Sequence, residues 1–223
     1  MKKVLAGVAL AVVALAAALG GAVATQPDTL HVERSIAITA SPAVVFPMAN
    51  DYRNWDKWDP WRAKDPDQKT TISDPPLGVG AWTAWEGDEN VGRGKMTIIE
   101  STPNILVRQT LEFFEPWEST AVATVAIDPA DAGCNVTWSF DSQQDLMSKA
   151  AGLFMDMDSM LGPDFEAGLA SLKAAAEAES ARLAEEEKRI ADANAEATKA
   201  LEDAFRSALE AGADGQVLTL EEW

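Results

Sequence analysis

A chain of 223 residues with 36 acidic and 18 basic residues carries a formal charge of -18, a surface that repels nucleic acid and anionic membranes alike. Its hydrophobic fraction of 47% suits a buried core rather than a disordered polymer. A single cysteine, Cys134, excludes an internal disulfide and a thiolate metal cluster, and a single histidine, His31, leaves little for histidine-based catalysis, so neither a metal nor a cofactor is expected.

The chain begins MKKVLAGVALAVVALAAALGGAVAT: Lys2 and Lys3, an apolar run from Val4 to Leu19, then Gly20, Gly21 and the small residues Ala22, Val23 and Ala24. This order of charged, apolar and small residues reads as a secretory leader cut after Ala24. An uncleaved inner-membrane anchor is the alternative, because residues 4–24 fall within the roughly 17–25 residues that span a bilayer. Either way the positive end stays in the cytoplasm and the remainder is exported, which in a bacterium means the periplasm.

In LHVERSIAITA, Val32, Ile36 and Ile38 alternate with Glu33, Ser35 and Ala37, predicting a half-buried strand. SPAVVFPMANDY changes period: Ser41 as N-cap, Pro42 at the first helical position and Val44, Val45 and Met48 at helical spacing predict a helix that Pro47 shortens or bends. YRNWDKWDPW follows, with Trp55, Trp58 and Trp61 three residues apart. One or two helical turns put Trp55 and Trp58 on a shared face, and Pro60 ends the helix before Trp61.

From Lys69 to Phe140, turns at DPPLGVG, GDENVGRG, STPN, FEPWE and PADAG separate the runs AWTAWE, KMTIIE, ILVRQTLEFF, TAVATVAID and NVTWSF, predicting an antiparallel meander. In ILVRQTLEFF one parity carries Ile105, Val107, Leu111 and Phe113, interrupted by Gln109, while Arg108, Thr110 and Glu112 take the wet face. From Leu146 a helical stripe runs through Leu153, Phe154, Met157, Leu161, Phe165, Leu169 and Leu172, with a kink or restart expected at Gly162 and Pro163. Residues 174–223 hold 13 acidic and 5 basic residues, with a thin row of Leu183, Ile190, Leu201, Phe205 and Leu209. That row reads as a solvated helical extension, or as a coiled-coil or partner-docking helix.

Three motif near-misses carry no chemistry. GDENVGRG lacks the Lys and Ser/Thr of a phosphate loop and sits in a hairpin. Asp156, Asp158 and Asp164 read as a solvated helix face. In EAGADGQVLTLEE, Glu210 and Gly212 stand where a calcium loop needs its first two acidic ligands, although Asp214, Gly215 and Glu221 match later positions.

The order of strand, short helices, meander and long helix resembles the helix-grip fold of the START, birch-pollen-allergen and polyketide-cyclase superfamily (SRPBCC). HVERSIAITASPAVVF, NDYRNWDKWDPW, GVGAWTAWEG, VGRGKMTI and LFMDMDSMLGPDFEAGLASLK look like its polyketide cyclase/dehydrase branch, over about Leu30 to Lys173. The resemblance implies an α+β helix-grip domain over 30–173, a curved antiparallel sheet around a long C-terminal helix, between a leader or anchor (1–24) and an acidic helical tail (174–223). It also implies a cavity between sheet and helix.

Trp58, Trp85, Gln109, Phe113, Trp138, Phe154, Met157 and Phe165 are the candidate wall, with Met155 and Met160 nearby. The tryptophan segment is read as a lid, with Trp58 the foremost ligand contact. The leading functional reading is non-catalytic binding of a hydrophobic small molecule or lipid. Two alternatives stand beside it: a cyclase/dehydrase-type enzyme, which needs an inward ionisable group, and an envelope scaffold whose acidic tail recruits a protein partner.

Overall fold

The computed structural model describes residues 2–213, and the chain divides after Glu177 into two compact units. In the first, α1 (Lys2–Ala24) precedes β1 (Thr29–Ile38), α2 (Pro42–Asn50) and a short 3₁₀ helix (Tyr52–Lys57). Then come β2 (Lys69–Ile72), β3 (Trp82–Glu86), β4 (Arg93–Thr102), β5 (Leu106–Glu115), β6 (Ser119–Ala130) and β7 (Gly133–Gln143), followed by α3 (Leu146–Gly152) and α4 (Met157–Ala213). All seven strands pair antiparallel in the order β1-β7-β6-β5-β4-β3-β2.

That order dictates the path of the chain. β1 lies at one edge and β2 at the other, so residues 39–68 must cross the width of the sheet before hairpins walk the chain back to β1. Strand alternation sorts the faces. Met96, Ile98, Val107, Leu111, Ala123, Val125, Val136 and Trp138 are buried, while Arg108, Asp128 and Asn135 point to solvent. The buried face of this curved sheet receives α2, the tryptophan segment and the first turns of α4, so the molecule is a helix-grip fold.

α4 seats itself through Phe165, Leu169, Leu172 and Ala176, an apolar stripe at helical spacing. Polar contacts fasten the same helix to β1 and its end. Arg34 donates from Nη1 and Nη2 to Asp158 at 2.8 and 2.9 Å, and from Nε to Glu166 at 2.9 Å. The Thr39 amide and hydroxyl donate to Glu177 at 2.9 and 2.6 Å, and Lys173 donates to the Ala37 carbonyl at 2.7 Å.

Two local expectations are corrected, and that of Ser41 as N-cap holds in position. β2 is a further strand; all four of its residues are exposed, so no alternation marks it. Ser41 occupies the N-cap of α2 without a side-chain cap bond. The helical break falls at residues 153–156 instead of at Pro163, because Asp156 caps α4 by accepting from the amide of Asp158 at 3.1 Å and from the Ser159 hydroxyl at 2.6 Å.

The described part of the second unit is the helical stretch 178–213. Leu183, Ile190, Leu201, Phe205 and Leu209 are exposed along it, and Arg182–Glu179 and Arg189–Glu186 pair one turn apart. The described side chains of α1 from Val13 to Leu19 are also exposed. Among the described residues no helix is long and apolar enough to cross a membrane. The calcium-loop resemblance falls from Asp214 onward outside the described residues.

Candidate functional site

The tryptophan segment is built by a helix with three residues per turn. In a 3₁₀ helix side chains at i and i+3 eclipse, so Trp55 and Trp58 come to lie against one another, ring centroids 4.1 Å apart. Asp51 starts this helix by accepting from the Arg53 amide at 3.0 Å. Trp58 ends it, buried to 1% exposure, with its indole N–H donating to the Met48 carbonyl at 3.0 Å.

Trp138 on β7 is the hub of the aromatic cluster. It stacks on Phe165 of α4 at 4.2 Å and meets the edges of Trp58 and Trp61 at 5.0 and 5.9 Å. Pairs of this kind contribute about 0.5–1.5 kcal/mol each beyond area burial. The close approach of α4 requires Gly168, where an added Cβ would lie 2.7 Å from the Trp138 ring and 3.3 Å from the Trp58 carbonyl.

Beyond the hub, between sheet and α4, lies a cavity of about 610 Å³. That volume falls within the roughly 300–1,000 Å³ typical of small-molecule sites. Nine aromatic side chains among the described residues line it, including Tyr52, Trp55 and Trp61 on one side and Trp85, Phe113 and Phe140 on another. The Trp85 wall depends on Gly94, its cross-strand partner, because a Cβ there would fall 2.4 Å from the indole. At the mouth stand Trp117 and Met160, both exposed.

Five of the residues expected to line the cavity do so: Trp85, Phe113, Trp138, Met157 and Phe165. Three do not. Trp58 is sealed behind Trp55 and Trp138, so the segment's contact with the cavity is made by Trp55 and Trp61. Gln109 is 0% exposed on the sheet floor, where it accepts the Tyr52 hydroxyl at 2.9 Å and offers nothing to the cavity. Phe154 falls in the break between α3 and α4 and is 83% exposed.

The polar groups that matter most were not foreseen. Asp59 lines the cavity, and burial, with a smaller push from Asp56, raises its carboxyl to about 6. The opposing influences are weaker: the amides of Trp61, at 3.0 Å, and Arg62, and the charge of Arg62. Gln68 Oε1 and Trp138 Nε1, both on lining residues, find no hydrogen-bond partner among the described residues, and neither does Gln109 Nε2. The available signal for Asp59 was its position between Trp58 and Trp61, where rings that bury themselves bury their neighbour. Gln68 carried no signal.

Cys134 and His31 stand apart from the cavity. Cys134 is buried with its thiol donating to the Ala40 carbonyl at 3.4 Å. His31 sits at the surface between Asp141 at 2.7 Å and Glu33 at 3.3 Å, which hold its proton more firmly than usual. Among the described residues no group of three or more His, Cys, Asp or Glu side chains is placed to hold a metal.

The sequence profile of the family described as polyketide cyclase/dehydrase and lipid transport matches residues 29–177. Among solved structures, a putative uncharacterized protein from Rhizobium leguminosarum is similar at 15% identity, over 67% of this chain and 95% of that one, with a TM-score of 0.51. A protein of unknown function from Staphylococcus aureus is similar at 13% identity, over 68% and 95%, also at 0.51. The di-domain ARO/CYC StfQ from the steffimycin biosynthetic pathway is similar at 9% identity, over 69% of this chain and 52% of its own, at 0.50. At such identities the likeness establishes the fold. No curated protein matches the chain in sequence.

Proposed function

The chain belongs to the polyketide cyclase/dehydrase and lipid transport family, and from that premise we propose that it is an exported protein holding a hydrophobic small molecule or lipid in its cavity without transforming it. The observation that carries this reading is the cavity itself: about 610 Å³, walled mainly by aromatic and methionine side chains. Export rests on the leader-like pattern of residues 1–24. Native mass spectrometry of protein purified from its host envelope tests both parts. The expected species begins at Thr25 and carries a nonpolar adduct; an empty cavity after exposure to total lipid extract would sink the binding reading.

A second reading is favoured by Asp59. A carboxyl raised to about 6 on a cavity wall is suited to moving protons near neutral pH, as a cyclase or dehydrase requires. Turnover of a polyketide-like substrate that disappears in Asp59→Asn would support it, whereas recovery of unchanged ligand from the purified protein counts against it. The exposed row Leu201, Phe205 and Leu209 supports partner docking by the tail. Truncation after Glu177 should then abolish complex formation and leave the domain folded.

A further inference from the structure

The cavity wall has a sign as well as a shape. Among the described lining residues four carry carboxylates, Asp56, Asp59, Glu89 and Glu115, and none carries a cation. Glu115 is answered by Arg93 at 3.1 Å. Asp59 has no ion-pair partner among the described residues; Arg62, three positions on, turns its guanidinium to the Gln68 carbonyl at 2.8 Å. Gln68 itself is 8% exposed, and its side-chain oxygen accepts no hydrogen bond from the described residues.

A largely desolvated carboxylate with no ion-pair partner, opposed only weakly by the charge of Arg62, and a buried acceptor without a donor both destabilise an empty site. One kind of group answers both, a positive charge with hydrogens on its periphery. The rings beside Asp59 add to the same preference, because aromatic faces attract cations, most of all where water is excluded. An anionic headgroup would meet carboxylates with no cation on the wall to offset them.

Resting on the ligand-binding reading above, we propose that the cavity takes an apolar molecule bearing an ammonium or quaternary ammonium group. Asp59 is its counter-charge, and the faces of Trp55 and Trp61 flank it. The apolar body lies along Trp85, Phe113 and Phe165.

Isothermal titration calorimetry of the full chain with decyltrimethylammonium, decanol and decanoate tests this, since the three share one chain and differ only in headgroup. Salt at about 0.15 M limits long-range attraction by the acidic surface. The cation should bind at least about tenfold tighter than decanol, and decanoate most weakly. Asp59→Asn should erase the difference between the cation and decanol. Asp131→Asn, in the β6–β7 turn outside the cavity, removes the same unit of charge and should leave all three affinities unchanged. Equal binding of the three ligands overturns the cation assignment and leaves hydrophobic binding standing. A cation preference that survives Asp59→Asn also overturns it, by assigning the effect to overall charge. Binding of none overturns both readings.

Discussion

Replacing Asp59 with asparagine should make the empty protein more stable at neutral pH. Burial raises the folded-state carboxyl to about 6 from an ordinary 3.8, with Asp56 reinforcing the shift and the Arg62 charge and two backbone amides opposing it. Between those values the folded chain holds the proton more tightly than the unfolded chain does. The contribution of Asp59 is therefore fully present below about pH 4 and lost as pH rises through about 6. At about 1.4 kcal/mol per pKa unit, the loss amounts to at most about 3 kcal/mol, an upper bound because the side chain keeps part of its hydration. Asparagine preserves the shape and an oxygen to accept the Trp61 amide, now at 3.0 Å, without the charge. Urea unfolding of both proteins between about pH 4 and pH 8 reads the difference directly. Carboxyls held low by partners, such as Asp51 and Asp158, titrate alike in both proteins and cancel. The gap should open from near zero at pH 4 to its full value by pH 8; parallel curves, or a less stable variant at pH 8, refute the argument.

Gly94→Ala should push Trp85 off the cavity wall and cost about 1–3 kcal/mol of stability, since the new methyl would meet the indole at 2.4 Å. A crystal structure with Trp85 unmoved would contradict this. Tyr52→Phe and Gln109→Leu should each destabilise by about 1–3 kcal/mol, because each strands a buried partner of the 2.9 Å hydrogen bond. The double variant should lose less than the sum, as a double-mutant cycle would show. Glu177 should titrate near 2, held down by the hydroxyl and amide of Thr39 and then by Lys173. Its contribution to stability is present above about 4.5 and fades as pH falls through 2. Thr39→Val should bring its carbon-13 shift titration back toward the usual carboxylate range.

Strand alternation and helical periodicity made most of the fold legible. Val107, Gln109, Leu111 and Phe113 share a parity, and the structure turns that parity inward; Phe165, Leu169 and Leu172 share a stripe, and it docks. What escaped was set by context. β2 has no buried face to advertise itself, and the break before α4 is set by a cap at Asp156, while Pro163 lies inside the helix. At the cavity, periodicity identified which faces turn inward but not which inward residues meet empty space. Gln109 and Trp58 are as inward as Phe113 and Trp138, yet the Tyr52 hydroxyl occupies one and the Met48 carbonyl the other. Asp59 had only the hint of its place between Trp58 and Trp61, because the desolvation that raises its carboxyl exists only once the cavity wall is assembled.

Five of the eight tryptophans, Trp55, Trp61, Trp85, Trp117 and Trp138, face the same space, and the chain has a single tyrosine to compete with their light. The molecule therefore carries its own optical reporter. Whatever enters must change the polarity around most of its indoles at once, so shifts in ultraviolet emission can screen a compound library on unlabelled protein. A compound that quenches without shifting the spectrum would be acting at the exposed Trp117 rather than within.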